Sequence, residues 1–404
     1  MQAVRSRVAH TFINRDFALF MGGSFISAMG MWFRAVTVSW VAFELTGSAF
    51  YLGMLTFAQL APILFFGLLG GVLADRVDRR RLMLTVSSAV TLLNTLLAAL
   101  GVGGWLNPAI LLALVATLGL CDAVMFPTWQ AIIKDLVPTE RLRTAVAVSS
   151  VRFNLSRVLA PALAGGLLSI AGPAACLAVS AGSSLGIILV TLAIRPRKLT
   201  ESRPVSWWAA IGQGLDYARW EVDVRRLLLV TGGFGLLVLP HQAFLPAYTE
   251  RQLGLGPDGL GTLLTAGGIG GIIGALITGS KYTDNREYRA MGAFTIVTGL
   301  GLLILGFIPT SSSALLGMVI VGIGSIGFWT AAQSTVQLIV PDRLVGRVMS
   351  LYVALSAGSM PLGSLALGSI AEQGDTRIVM VIGGASALLL CLPLLLRRPP
   401  PERR

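Results

Sequence analysis

Apolar runs long enough to cross a bilayer recur from Phe17 to Leu396, and no other feature restricts the fold of this chain as much. A helix needs about 20 apolar residues to traverse the hydrocarbon core, and inside that core every backbone polar group must be satisfied by the element itself. Twelve runs meet the length: Phe17–Phe43, Phe50–Ala74, Leu82–Gly104, Pro108–Ile133, Thr144–Ala171 and Pro173–Ile194, then Leu227–Tyr248, Gly259–Ser280, Ala290–Ile308, Ser313–Val336, Val348–Ala371 and Ile378–Leu396. They are continuous and rich in Leu, Ala, Gly and Val, whereas a transmembrane barrel shows alternating strands of about ten residues. The expectation is an all-α membrane protein of twelve transmembrane helices in two six-helix halves. Residues 1–194 form the first half, 195–226 a central loop, and 227–404 the second half with a short basic tail.

The charges test that count. Of the 31 Lys and Arg, Arg251 and Arg377 alone fall in the links of one side, and Arg34, Arg152 and Arg157 fall within runs; all the others lie in the alternate links and at the two termini. A missed or invented span would scramble this alternation. The positive-inside rule then puts both termini in the cytoplasm. The net charge of +12 is therefore topological and does not point to nucleic acid. Cys121, Cys176 and Cys391 all lie in apolar runs with neither paired spacing nor histidine company, so they read as packing residues and no metal is expected. The polar, basic start lacks the cleavage site of a signal peptide.

The halves echo each other. Gln130 to Arg143, with Leu136-Val137-Pro138 inside it, returns as Gln333 to Arg347 around Ile339-Val340-Pro341, each followed by a Pro-containing run. Such internal repeats mark transporters. The central loop carries Trp207-Trp208, Tyr217 and Trp220, which fits an amphipathic helix at the level of the lipid headgroups.

Between the second and third runs lies Gly71-Val72-Leu73-Ala74-Asp75-Arg76-Val77-Asp78-Arg79-Arg80-Arg81, too charged for hydrocarbon. It resembles the signature that the major facilitator superfamily carries between its second and third helices: Gly71, Asp75, Arg76, Arg79 and Arg80 match, and Asp78 stands where the family usually has Gly. With Glu44-Leu45-Thr46-Gly47-Ser48, Asp122-Ala123 and Arg347-Val348-Met349-Ser350-Leu351-Tyr352, it is similar to the bacterial enterobactin exporter-like branch. Ala160-Pro161-Ala162-Leu163-Ala164-Gly165-Gly166 is similar to the superfamily's antiporter motif, with the first Gly replaced by Ala160 and the glycine pair displaced by one residue. The resemblance implies a secondary active carrier that moves a small siderophore-like or lipophilic solute outward by alternating access in exchange for protons. It leaves room for a periplasmic or outer-membrane export partner. It also implies that the hinge residues form a conformational latch, with Asp75 facing a helix N-terminus and Arg79 engaging a carboxylate near the fourth helix, Asp135 being the candidate.

The ionisable residues inside the runs are Arg34, Asp122, Arg152, Arg157 and His241, and intramembrane charges are functional candidates by default. Asp122 is the one carboxylate deep in a run and the candidate proton carrier. Arg152 and Arg157 bracket its depth, and Arg152 is the first choice of partner. The two arginines are five residues apart, about 140° around a helix, so they cannot meet one spot together. Arg34, at the middle of its run with Ser27, Met31, Thr37 and Val38 on a similar face, suits an anionic or carbonyl-rich solute. Gln59, Asn94, Asn154, His241 and Gln333 complete the candidate cavity, with Trp32, Trp129 and Trp329 as aromatic walls. The glycines at Gly267-Gly268-Ile269-Gly270-Gly271 lack the Lys and Ser/Thr of a phosphate loop and read as close helix packing, so no nucleotide or other cofactor is expected. An intramembrane enzyme would need a nucleophile with a base or a carboxylate pair, which these runs do not offer. Uptake, lysophospholipid flipping and a non-transporting sensor on the same fold remain the rival readings.

Overall fold

The computed structural model describes residues 15–194, 207–279 and 287–395. Among the described residues every regular element is a helix: α1 Arg15–Thr46, α2 Ala49–Arg76, α3 Arg79–Val102, α4 Pro108–Leu136, α5 Leu142–Ala193, α6 Trp207–Trp220, α7 Val222–Gly233, α8 Leu245–Leu253, α9 Pro257–Gly279, α10 Glu287–Phe307, α11 Ser311–Ile339, α12 Asp342–Gly358, α13 Met360–Gln373 and α14 Arg377–Leu390. Their starts follow local chemistry. Asn107 caps α4 by accepting from Ile110 N at 2.9 Å, with Pro108 at the first turn where its missing N–H costs nothing. Thr310 and Ser313 close a reciprocal capping box at the head of α11.

Four details depart from the sequence expectation, each with a physical reason. The fifth and sixth spans form one run, α5, divided only at Gly172, whose φ of 77° and ψ of 179° only glycine adopts without strain. The following Pro173 favours that break. The charged link between the second and third spans shrinks to Val77 and Asp78, because α2 stays helical to Arg76 and Asp78 caps α3 by accepting from Arg81 N at 2.9 Å. The seventh span runs Val222–Leu253 and changes its winding midway: five residues of π-helix, Phe234–Val238, then a 3-10 stretch, Leu239–Phe244, that contains Pro240 and His241. The eleventh breaks at Ser359, before Pro361, dividing α12 from α13. Ten helices of the described chain are long and apolar enough to span a membrane. Counting α5 as two and adding α2 accounts for twelve.

Chain contacts divide the molecule into two compact units. The first is residues 1–46, 58–204 and 257–261; the second is residues 47–57, 205–256 and 262–404. In the first unit α1 lies along α5 and also touches α4, while α3 packs on α5 and α4. A buried core of Phe17, Phe20, Met83, Ile132, Leu136 and Ile187 holds the end from which the basic links emerge. In the second unit α10 packs on α11 and α14, and α12 on α6 and α7. There α9 and α11 approach backbone to backbone: a Cβ on Gly270 would stand 2.0 Å from Val319 O, and one on Gly322 2.0 Å from Gly267 O. This contact accounts for the glycine run at 267–271, since small residues let membrane helices approach closely.

Candidate functional site

The polar centre of the first unit begins with α1, whose Arg34 is 5% exposed in the middle of a largely apolar helix. Its Nη2 donates to Oδ2 of Asp122 on α4 at 3.0 Å. Removing two charges from water costs several kcal/mol per ion, so neither group would lie here without the other, and deleting one partner leaves the second uncompensated. The carboxylate is the more accessible member, its side chain 26% exposed against 6% for the guanidinium.

This corrects the pairing expected from sequence, which placed Arg152 first against Asp122. Arg152 instead reaches from α5 to α1, where Nη1 donates to the carbonyl of Ser24. Its guanidinium centre lies 4.4 Å from the ring centroid of Trp129 on α4, a cation–π contact. Trp129 in turn sits 5.5 Å from Phe20, and Trp32 lies 6.4 Å from Phe153, the neighbour of Arg152. Among the described residues, Arg152 Nε, Trp129 Nε1 and Trp32 Nε1 are all buried without a hydrogen-bond acceptor. Neither Arg152 nor Arg157 has a carboxylate partner among the described residues. Depth and spacing placed all these side chains at comparable levels; only the rotation of each helix decides which arginine meets the aspartate.

At the basic end of the unit, Arg79 Nη1 donates to both oxygens of Asp135, at 2.7 and 2.8 Å, tying α3 to α4. Arg80 donates to the carbonyls of Thr191 and Leu192 in the last turn of α5, where the helix dipole favours a cation. Gly71, Asp75 and Arg76 lie on α2, and their side chains fall outside the described residues. Asp78, which in the sequence stands out only as a departure from the family pattern, is the cap of α3, and Asp at the head of a helix is a recognisable cap signal.

The other candidates scatter. Asn94 on α3 is buried, and its Oδ1 lacks a donor among the described residues. The backbone of Gln59 presses on α4, where a Cβ on Gly119 would stand 2.3 Å from Gln59 O. Asn154 spends its amide on its own helix, donating to Ser150 O at 2.9 Å. In the second unit Gln333 is exposed on α11, while His241 is 1% exposed with Nδ1 2.6 Å from Val238 O. Trp329 packs edge-on against Tyr352 with centroids 5.9 Å apart.

This helical arrangement of twelve spans is the major facilitator fold. Solved transporters share it: a nucleoside transporter superposes with a TM-score of 0.78 at 12% identity, covering 94% of this chain and 99% of its own. A bacterial homologue of the human lysosomal transporter Spinster, in an inward-facing and unoccupied conformation, gives 0.66 at 14% identity and 94% of each chain. The family described as transmembrane secretion effector matches residues 9–403, and the chain belongs to it. The staphyloferrin A transporter of Staphylococcus aureus is 27% identical over 377 residues, 90% of this chain and 92% of that one. The multidrug efflux pump Tap of Mycolicibacterium fortuitum is 25% identical over 383 residues, 89% and 88% of the two chains. The enterobactin exporter EntS of Escherichia coli is 24% identical over 405 residues, 94% and 92%.

Proposed function

We propose that this transporter is a proton-coupled exporter of a small siderophore-like or lipophilic solute, working by alternating access in a bacterial inner membrane with both termini cytoplasmic. One observation carries the coupling: the single carboxylate deep in the spans, Asp122, is held by the buried Arg34 and is the more exposed partner. Protonation of Asp122 removes the anion that fixes α1 to α4. The freed arginine must then find other acceptors, so the packing of the two helices differs between the proton-loaded and proton-free states. Arg79–Asp135 and the Arg80 contacts, together with Asp75 and Arg76 on α2, act as the latch at the cytoplasmic end. The direction of transport rests on relatives named for siderophore export and drug efflux.

The test is substrate-dependent proton movement in vesicles reconstituted with the full chain, screened with siderophores and lipophilic drugs. Export predicts that an inward proton gradient drives cargo out of the equivalent of the cytoplasmic side. Solute movement indifferent to the gradient would remove the coupling. Absence of any solute movement across the screen would favour a sensor.

A further inference from the structure

The interior of the first unit's spans holds three arginines, Arg34, Arg152 and Arg157, against one carboxylate, and Arg34 takes that carboxylate. Two guanidinium charges are left without a carboxylate in a setting where lone charges are costly. Three of the first unit's unsatisfied groups are donors on this side of α5: Arg152 Nε, the indole N–H of Trp129 beneath its guanidinium, and the indole N–H of Trp32, whose ring meets Phe153, the next residue in the chain. A buried donor with no acceptor is destabilising, and an arriving acceptor removes that cost. Aromatic faces flank these donors, with Trp129 under the guanidinium and Phe153 beside Trp32.

From this arrangement we propose that Arg152, Trp129 and Trp32 form the cargo-recognition site of the first unit, and that the cargo is an extended aromatic or amphiphilic carboxylate-bearing anion. The carboxylate takes the Arg152 guanidinium and the Trp129 N–H, and a second acceptor on the cargo takes the Trp32 N–H. Ser24 and Trp32 are eight residues apart on α1, about 12 Å along the helix, which sets the span of the cargo. The inference rests on the exporter reading and names its substrate class. It is separable from the proton step by its partners, because Arg34 donates to Asp122 and Arg152 to Ser24 O, and the two arginines share none.

The experiment uses two dyes built on one xanthene frame, the anion carboxyfluorescein and the cation rhodamine 6G, titrated by fluorescence anisotropy into the full-length protein in detergent. Carboxyfluorescein should bind about tenfold tighter or more, the scale of one charge-assisted hydrogen bond. Arg152→Gln should erase that preference and leave rhodamine 6G unchanged, and Arg152→Lys should restore part of it. Trp129→Phe, which keeps the ring against Phe20 and removes only the N–H, should weaken the anion by a smaller factor. Equal affinity for the two dyes, no binding of carboxyfluorescein, or an Arg152→Gln variant that weakens both alike would each overturn the proposal. Gradient-driven flux of the same dyes in vesicles separates the two readings. Export of rhodamine 6G without carboxyfluorescein binding sinks the anion site and keeps the exporter; selective anion binding with no flux does the reverse.

Discussion

The two compact units spend their polar and small residues differently. The first concentrates charge: Arg34, Asp122, Arg152 and Arg157 all lie within its spans, and its helices are tied by side chains, α1 to α4 through an ion pair and α5 to α1 through Arg152 on Ser24 O. The second has His241 as the one Asp, Glu, Lys, Arg or His side chain in mid-span among its described residues, and its α9 and α11 meet through a run of glycines, where the first unit has single contacts such as Gly119 against Gln59 O. It also holds the two mid-span changes of winding, at 234–244 and at Ser359, and these pack on each other: a Cβ on Gly363 would stand 1.8 Å from Leu236 O, and Ser359 Oγ donates to Gly232 O at 3.0 Å. The contrast suggests a division of labour, with chemistry in one unit and deformable backbone in the other, since π and 3-10 segments often mark sites where a helix bends.

The sharpest way to break that contrast is to put side chains where backbones touch. Gly322→Leu in the second unit should prevent a monodisperse protein from forming, because even a Cβ meets Gly267 O at 2.0 Å. Gly166→Ala in the first, where nothing lies within 4 Å, should leave yield and melting temperature unchanged. Equal tolerance at both positions would remove the claim that the second unit depends on glycine contact.

Next in size is the buried pair. Arg34→Gln, which leaves Asp122 without its cation, should cost about 3–5 kcal/mol in thermal unfolding of the purified protein, and adding Asp122→Asn should recover much of it. Additive losses in the double variant would show that the two residues do not act as a pair. Smaller again is the loss of a helix cap: Asp78→Ala should lower stability by about 1 kcal/mol. A larger fall, or loss of transport with stability intact, would give Asp78 a part in the latch. Asn154→Ala should do least, because the amide serves only its own helix.

Much of this was legible before any coordinates. Length and continuity of the apolar runs set the number of spans, because the bilayer leaves a helix no alternative, and Gly172-Pro173 marked the break between spans that the structure joins. The intramembrane charges were also visible as a set. Their pairing was not: Arg34, Arg152 and Arg157 all lie within reach of the depth of Asp122, and sequence does not encode how far each helix is rotated about its axis. The winding change around Pro240 and His241 was foreseeable from Pro, whereas the π-helix before it, Phe234–Val238, has no comparable local signal.

The central claim is that Asp122 carries the coupling proton against Arg34. Its most direct test is transport by Asp122→Asn in reconstituted vesicles, measured with and without an imposed pH gradient and alongside the melting temperature of the same preparation. The account predicts a folded protein that still equilibrates solute down its own gradient but no longer accumulates it when a pH gradient is applied. Proton-driven accumulation at the parental level in a folded Asp122→Asn protein would contradict it.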